Sequence, residues 1–334
     1  MACTDPVLLD DWHPVARAQD VEGPTLQHAA LLDHELLLWR DDEGALHAWE
    51  DRCPHRGTRL SIGQREAGGV TCAYHGWRFG ADAHCAHIPA QPQGPIPSQA
   101  RVREYHVAEH YGLVWVCLGQ AEREVPPFPE HAHEQLRKVV CGPYDVAASS
   151  PRIVENFLDM AHFGFVHEGI LGDAQHTSVQ DYRVQPFDGV TPPGVLATQC
   201  MAWQPRSNSL AETGSMVEYT YRVVRPLTAI LTKQPEAFAD FREAISLHVQ
   251  PVSEESSRAW IILALTNFEQ EEGVLRAFQD RIFLQDKPIV ENQVPKRLPL
   301  DPGLSIPCDR MSLAYRRYLA SLGLRYSVVG HALP

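Results

Sequence analysis

The sequence has no stretch near the roughly 20 apolar residues that a membrane-spanning helix needs. It also lacks a basic surplus: 29 Lys and Arg stand against 42 Asp and Glu, a net charge of -13. Nucleic acid and anionic membrane surfaces are therefore poor partners, whereas a basic docking protein would suit the charge. The opening segment, Met1 to Pro14, has no basic-then-apolar leader, so a cytoplasmic location is expected. Internal repeats and low-complexity segments are absent. The eight cysteines are not spaced as in a small secreted scaffold, which argues against a disulfide framework. What is present is a 334-residue chain, 44% hydrophobic and 21% charged, enough for one large domain or two ordinary ones.

The first third reads as short strands and turns. Glu35 to Arg40 and Ala45 to Glu50 are apolar-rich runs split by Asp41-Asp42-Glu43-Gly44, a hairpin signal. Trp77 to Phe79 and a following short run flank Gly80-Ala81-Asp82, and Arg101 to Val107 and Leu113 to Leu118 flank Tyr111-Gly112. A small antiparallel β-sandwich is expected there. Pro126, Pro127 and Pro129 mark a boundary, which gives domains at 1–125 and 126–334. A helix is expected from Pro151 to about Phe163. Strands follow at Leu196 to Gln204, Met216 to Val224, Ala244 to Gln250 and Arg258 to Thr266, then helices at about Glu271 to Val290 and Arg310 to Ser321. Strands framed by helices make the class α+β.

Two cysteines each have a histidine close by. Cys53-Pro54-His55-Arg56-Gly57 is followed by Cys72-Ala73-Tyr74-His75-Gly76-Trp77. A Rieske-type [2Fe-2S] cluster takes two thiolates on one iron and two imidazoles on the other. Each loop supplies one of each, so two loops can clamp a cluster from opposite sides. Gly57 and Gly76 let the backbone bend close, and Pro54 stiffens its loop. The rival is a Cys2His2 zinc site, although zinc fingers usually pair their cysteines and then their histidines, whereas here the types alternate. Cys3, Cys85, Cys117, Cys141, Cys200 and Cys308 read as small buried apolar residues.

The expected helix after Pro151 carries Asn156, Asp159 and His162 at intervals of three, on one face. His167 lies five residues after His162, and Gly164 offers a place where the helix could end and let His167 swing back. Two histidines plus a carboxylate with open positions form the facial triad of Fe(II) oxygenases. In the late helix the apolar stripe runs Leu275, Phe278, Ile282, Phe283, Ile289 and Val290, and Asp286 falls on it. A buried unpaired carboxylate is costly, and a metal would explain its place. Pro288 is expected to kink or end that helix. Taken alone, each of these residues could equally be structural or solvated.

The two Cys-His motifs, including Tyr74-His75-Gly76-Trp77, resemble those of the Rieske non-heme iron oxygenases. The Rieske proteins of quinol-oxidising respiratory complexes add two disulfide cysteines, at positions that here are Thr58 and Tyr74. The resemblance extends over the chain: Asp159, His162 and His167 match the family's Asp-x2-His-x4-His pattern, and Gln285-Asp286-Lys287-Pro288-Ile289-Val290-Glu291 is similar to its third-ligand segment. Trp12-His13-Pro14-Val15, Tyr111-Gly112-Leu113-Val114-Trp115 and Tyr315-Arg316-Arg317-Tyr318-Leu319 are also similar. The pattern is closest to the single-subunit branch, which holds oxidative O- and N-demethylases and hydroxylating monooxygenases.

The resemblance implies an N-terminal Rieske domain and a C-terminal helix-grip-like catalytic domain. It implies Cys53, His55, Cys72 and His75 on the [2Fe-2S] cluster, and His162, His167 and Asp286 on a mononuclear Fe(II). Asp159 resembles the carboxylate that links a Rieske histidine of one subunit, here His75, to an iron histidine of its neighbour, here His162; Asn156 matches a position near the iron. It further implies a homotrimer, and a flavin or ferredoxin-type reductase passing electrons from NADH or NADPH. The expected activity is O2-dependent hydroxylation of a small aromatic or heterocyclic substrate, with demethylation where the carbon adjoins N or O. The alternatives are ring cis-dihydroxylation, a non-catalytic Rieske carrier fused to a ligand-binding module, and a zinc-stabilised interaction protein. The substrate pocket is expected from the segment after His167 and from about Leu196 to Gln250. Trp203, Tyr219 and Tyr221 are candidates there, although in strands they read more readily as core.

Overall fold

The computed structural model describes residues 2–66, 68–206, 211–235, 243–301 and 303–330. The chain divides into two compact units, 1–125 and 126–334. No helix among the described residues is long and apolar enough to cross a membrane.

In the first unit a one-turn helix, α1 (Pro6–Leu9), starts where the Asp5 carboxylate accepts the Val7 N–H at 3.1 Å. The strands β1 (His13–Arg17), β2 (Gln27–Leu31), β3 (His34–Arg40) and β4 (Leu46–Glu50) follow. A small antiparallel sheet comes next, β5 (Gln64–Glu66), β6 (Gly69–Thr71), β7 (Arg78–Gly80) and β8 (Cys85–His87). The chain then returns through β9 (Glu104–His110) and β10 (Leu113–Cys117), giving a six-stranded sheet of order β1-β10-β9-β4-β3-β2. The expected hairpins form: Arg40 pairs with Leu46 across the acidic turn. The β9–β10 turn has φ 56° at Tyr111 and 74° at Gly112, the positive pair that suits a tight hairpin. Leu37, Trp39, Trp49, Leu60, Val70 and Phe79 form a buried core, and Cys53 and Cys72 belong to it.

The second unit is built on one antiparallel sheet. Its strands are β11 (Arg137–Val146), β12 (Arg183–Phe187), β13 (Gly194–Gln204), β14 (Ser215–Arg225), β15 (Thr228–Pro235), β16 (Glu243–Ser253) and β17 (Ser256–Leu265). They lie in the order β11-β17-β16-β15-β14-β13-β12. The sequence reading lacked β11, β12 and β15. In β14 the side chains of Val217, Tyr219, Tyr221 and Val223 are buried while Glu218 is exposed, the period of two that a one-sided strand requires. Central β16 is buried from Ala244 to Pro251. Four helices complete the unit: α2 (Ser150–Phe157), α3 (Phe163–Val166), α4 (Glu272–Asn292) and α5 (Arg310–Ser321). Helix α4 packs on β11, α2 packs on β16, and the two helices touch.

Four expectations need correction. The helix after Pro151 does not reach Phe163; it ends at Phe157. Beyond it the Asp159 carboxylate accepts the Ala161 N–H at 2.9 Å, a local bond that competes with the helical ladder and breaks it. Asn156, Asp159 and His162 therefore do not share a helix face. Gly164 does not make the break. It lies inside α3, where a Cβ would stand 2.8 Å from the Asp173 carbonyl oxygen, so its smallness serves close packing. Pro288 does not end α4, which runs on to Asn292; the carbonyl that loses its donor belongs to Leu284, which is exposed and can meet water. Ile289 is also exposed, so the buried stripe runs Leu275, Gln279, Phe283, Val290, with Asp286 at its edge.

Candidate metal centres and substrate cavity

The two Cys-His loops close on themselves in the same way. Cys53 N–H donates to Thr58 O at 2.8 Å and Gly57 N–H to Cys53 O at 2.8 Å; Cys72 N–H donates to Trp77 O at 2.9 Å and Gly76 N–H to Cys72 O at 3.0 Å. Each glycine sits at the left-handed corner, φ 73° and 67°, where a side chain would be strained. Buried Asp51 braces the first loop by accepting the Ser61 N–H at 2.8 Å and hydroxyl at 2.6 Å. The thiols face inward, Cys53 and Cys72 being buried, whereas His75 is exposed and His55 partly so. The His55 and His75 rings lie 4.5 Å apart, and His55 stacks on Trp77 at 4.4 Å.

This donor set fits a two-iron cluster better than one ion. Four ligands on a single zinc would bring all donor atoms to within about 4 Å of one another. Among the described residues, the grouping of three or more His, Cys, Asp or Glu donors mutually within 4.8 Å is His162, His167 and Asp286, and the four loop residues form no such group. Burial, with Cys72 beside it, pushes the Cys53 thiol up to about 11. A thiolate there needs a strong positive neighbour. The Nδ1 of His55 is buried without a hydrogen-bond partner, as expected of an imidazole nitrogen kept for a metal.

The second centre is assembled from a turn and a helix. His162 precedes α3 and His167 follows it, so one helical turn sets the spacing of the two rings. Asp286 comes from α4, which Tyr144 holds to β11: their rings stack, Tyr144 on Phe283 at 4.1 Å, and the phenol donates to Asp280 at 2.5 Å. Arg276 Nε donates to the Val140 carbonyl at 3.1 Å, and Glu291 accepts the Ala147 N–H at 2.8 Å. Burial of Leu275, Phe283 and Val290 adds roughly 1.5–3 kcal/mol each to this docking. On the other side Arg316 bonds Glu155 at 2.5 Å and pins α2 to α5.

The three donor atoms converge. His162 Nε2 and His167 Nε2 are 3.2 Å apart, and they stand 3.4 and 3.1 Å from Asp286 Oδ1. Donors about 2.1 Å from a shared ion at right angles would lie about 3 Å apart. The outer ring nitrogens are already engaged: Asp159 Oδ2 lies 3.1 Å from His162 Nδ1, and Gln285 Oε1 lies 3.0 Å from His167 Nδ1. With Nδ1–H pinned on both rings, both Nε2 atoms and a carboxylate oxygen face one point, where positive charge, a proton or a metal cation, is favoured. Burial opposes a charge on His162, but the Asp159 and Asp286 carboxylates outweigh it and raise the ring to about 9. Burial likewise works against the Asp286 anion, yet its bonds to His162 and His167 keep it below the usual carboxylate range. Asn156 Nδ2 reaches Asp286 Oδ1 at 3.5 Å.

The sequence reading named every residue of this cluster except Gln285, which it quoted only as part of the Asp286 segment. A neutral amide beside an acid carries no signature of its own. The three donors border a cavity of about 670 Å³, part of it open to solvent. Its walls come from α2 (Ile153, Phe157), the sheet (Leu231, Ile245, Leu247, Ile261) and α4 (Ile282, Phe283). Leu171, after His167, contributes as expected; Tyr219 and Tyr221, which read more readily as core, also line it, and the α2 and α4 contributions were not anticipated. Trp203 lies elsewhere, against a smaller cavity and His176. Residues 207–210 and 236–242 of the expected pocket stretch lie outside the described residues. Besides the three donors, Asn156 and the phenols of Tyr219 and Tyr221, the lining holds Lys233, tied to Glu243 at 2.8 Å, and Gln279, 7% exposed on α4. Seven of the eight cysteines are buried, and Cys308 is half-buried rather than buried.

Residues 11–106 match the Rieske [2Fe-2S] domain, and residues 146–325 match the vanillate O-demethylase oxygenase C-terminal domain. Methylxanthine N1-demethylase NdmA of Pseudomonas putida is 28% identical over 320 residues, 93% of this chain and 88% of its own. The probable methylxanthine N7-demethylase NdmC of Pseudomonas sp. (strain TJI-51) is 42% identical over 211 residues, 63% of this chain and 74% of its own. The solved structure of Pseudomonas putida CBB5 NdmA with caffeine superposes with a TM-score of 0.81 at 27% identity, covering 94% of this chain and 90% of that one. The chain therefore belongs to the Rieske-type oxygenases whose C-terminal half is of the vanillate O-demethylase kind, oxidoreductases of monooxygenase and demethylase character.

Proposed function

We propose that this chain is the terminal oxygenase of an oxidative N-demethylase acting on small N-methylated heterocycles. The observation that carries it is the cavity itself: apolar walls for a flat ring, the His162, His167 and Asp286 donors at its edge, and the Gln279 amide inside. No other described residue bonds that amide, which can both give and accept a hydrogen bond, the complement of a ring imide or amide edge. The relatives named for methylxanthine demethylation support the same substrate class.

Cys53, His55, Cys72 and His75, in a domain of residues 1–125, hold the [2Fe-2S] cluster. His162, His167 and Asp286, in a catalytic domain of residues 126–334, hold Fe(II). When bound, the cluster supplies single electrons and the iron supplies O2 activation. Asp159 and Gln285 fix both imidazoles with Nδ1 protonated and Nε2 free. Asn156 holds one oxygen of Asp286. The apolar walls exclude water and present one N-methyl group to the iron's side of the cavity. Insertion of one oxygen atom into that C–H bond gives an N-hydroxymethyl compound. Its C–N bond breaks to release formaldehyde and leave N–H on the ring.

Asp159 is a third exposed, so one edge of it remains open to a neighbouring copy. We place it as the bridge from His162 to His75 of a neighbouring subunit in a homotrimer, with a reductase delivering electrons from NADH or NADPH in the cytoplasm. Light scattering of the holoenzyme tests the trimer; an active monomer would refute the bridge. The activity test supplies the holoenzyme with a flavin- and ferredoxin-type reductase, NADH and caffeine under labelled O2. Equimolar formaldehyde and a singly demethylated xanthine are expected. A product carrying two labelled oxygens on the ring would overturn the demethylase reading in favour of dihydroxylation.

A further inference from the structure

Two tyrosines stand side by side on the sheet wall of the cavity. Tyr219 and Tyr221 lie two apart on β14 and so point the same way, with rings stacked at 5.7 Å and 14°. Both are buried, at 2% and 1% exposure. They differ at the tip. The Tyr219 hydroxyl is hydrogen-bonded to the Gln204 side-chain amide, whereas the Tyr221 hydroxyl is buried with no hydrogen-bond partner.

A buried hydroxyl without a partner is costly, and phenylalanine would fill the same space without that cost. Among the described residues, none bonds the oxygen at Tyr221. Phe157 and Tyr219 flank the ring, Lys233 of the same cavity is already paired with Glu243, and Cys200, Tyr182 and Asp159 act on the phenol electrostatically without bonding it. Burial pushes the Tyr221 phenol well above its ordinary value, so it stays protonated and able to donate.

We infer that Tyr221 is a specificity residue whose phenol donates a hydrogen bond to an acceptor on the bound ring. The acceptor is a carbonyl oxygen or an unprotonated ring nitrogen. The sheet wall thus reads one polar edge of the substrate while Gln279 serves the helix wall. This rests on the demethylase reading and narrows it: an N-methylated ring with no acceptor gains nothing from Tyr221.

The test uses the holoenzyme, the variants Tyr221→Phe and Tyr219→Phe, and two probes, caffeine and N-methylindole, which lacks an acceptor. Without ligand, Tyr221→Phe is expected to melt at or above the wild-type temperature. Tyr219→Phe, which leaves Gln204 unpaired, is expected to melt below it. Tyr221→Phe should raise the caffeine dissociation constant and KM by about five- to tenfold with little change in kcat, and leave N-methylindole unaffected. Melting of Tyr221→Phe below wild type would show that the hydroxyl is already satisfied and overturn the assignment, as would unchanged caffeine affinity. Absence of formaldehyde from the wild type with both probes would instead refute the demethylase reading, and the melting comparison would still decide on Tyr221.

Discussion

Gln285 should matter to the catalytic iron although it cannot touch it. Its amide oxygen sits 3.0 Å from His167 Nδ1, and His167 is 1% exposed, so no water can replace it. In Gln285→Leu the side chain keeps its approximate volume and loses the acceptor. A buried N–H left unpaired costs about 1–3 kcal/mol. Loss of the group that orients a metal-bound histidine typically weakens metal affinity about 10- to 100-fold, or about 1.4–2.7 kcal/mol. The two estimates agree, and together they predict a one- to two-decade loss in affinity for the mononuclear ion. The assay is competition: the protein is dialysed against graded chelator, and retained iron is counted against the Rieske absorption, which serves as an internal standard. Gln285→Glu keeps an acceptor and should hold the ion at least as well as wild type. If Gln285→Leu retains iron like wild type while its fold is intact, the claim that this amide sets the ring is wrong.

Other substitutions separate the two centres. Asp286→Ala removes one donor and leaves two imidazoles face to face, so the mononuclear iron should be lost while the Rieske spectrum persists; metal analysis falling from three irons per chain to two checks it. Asp159→Asn keeps one of the two acceptor oxygens that serve the Ala161 N–H and the His162 Nδ1–H, and removes the negative charge. It should leave both centres filled and slow single-turnover electron transfer by at least tenfold, and normal turnover would refute the bridging role. His248 is fully buried, 2.9 Å from the Ser246 hydroxyl, and burial lowers its ring to about 3. Because the folded value is depressed, the unfolded chain takes up the proton first on acidification. Stability should then fall by about 1.4 kcal/mol per pH unit from about 6.5 towards 3. Denaturant melts of wild type and His248→Gln at pH 7.5 and 5.5 should diverge accordingly, and parallel losses would exclude His248 as the cause.

The parts of the site that were legible in the sequence are those whose chemistry constrains residue type. Cys53, His55, Cys72 and His75 stood out because few structures need thiol and imidazole at those spacings. Asp286 stood out because a carboxylate on an apolar stripe needs a reason. Gln279 and Gln285 did not, since a neutral amide is at home almost anywhere on a helix. The break after Phe157 was hidden because a three-residue recurrence suits a helix as well as it suits an Asx turn followed by a new helical turn. β12 was hidden because Arg183–Phe187 is largely exposed and contains Pro186, so neither alternation nor apolar density marks it.

The uneven exposure of the cluster loops has a directional consequence. The thiol side is sealed in a core with Trp49 and Phe79, and the imidazole side faces water. An added negative charge is better tolerated where solvent can answer it. A cluster held by these loops would give an added electron a preferred address, the outer end of the cradle. On that reading the exposed rim that would receive a reducing equivalent is also where it would wait, a short tunnelling distance from a protein docked there. A polar gradient across four side chains makes the domain a one-doored store, and substitutions that cover His75 should slow filling and emptying together.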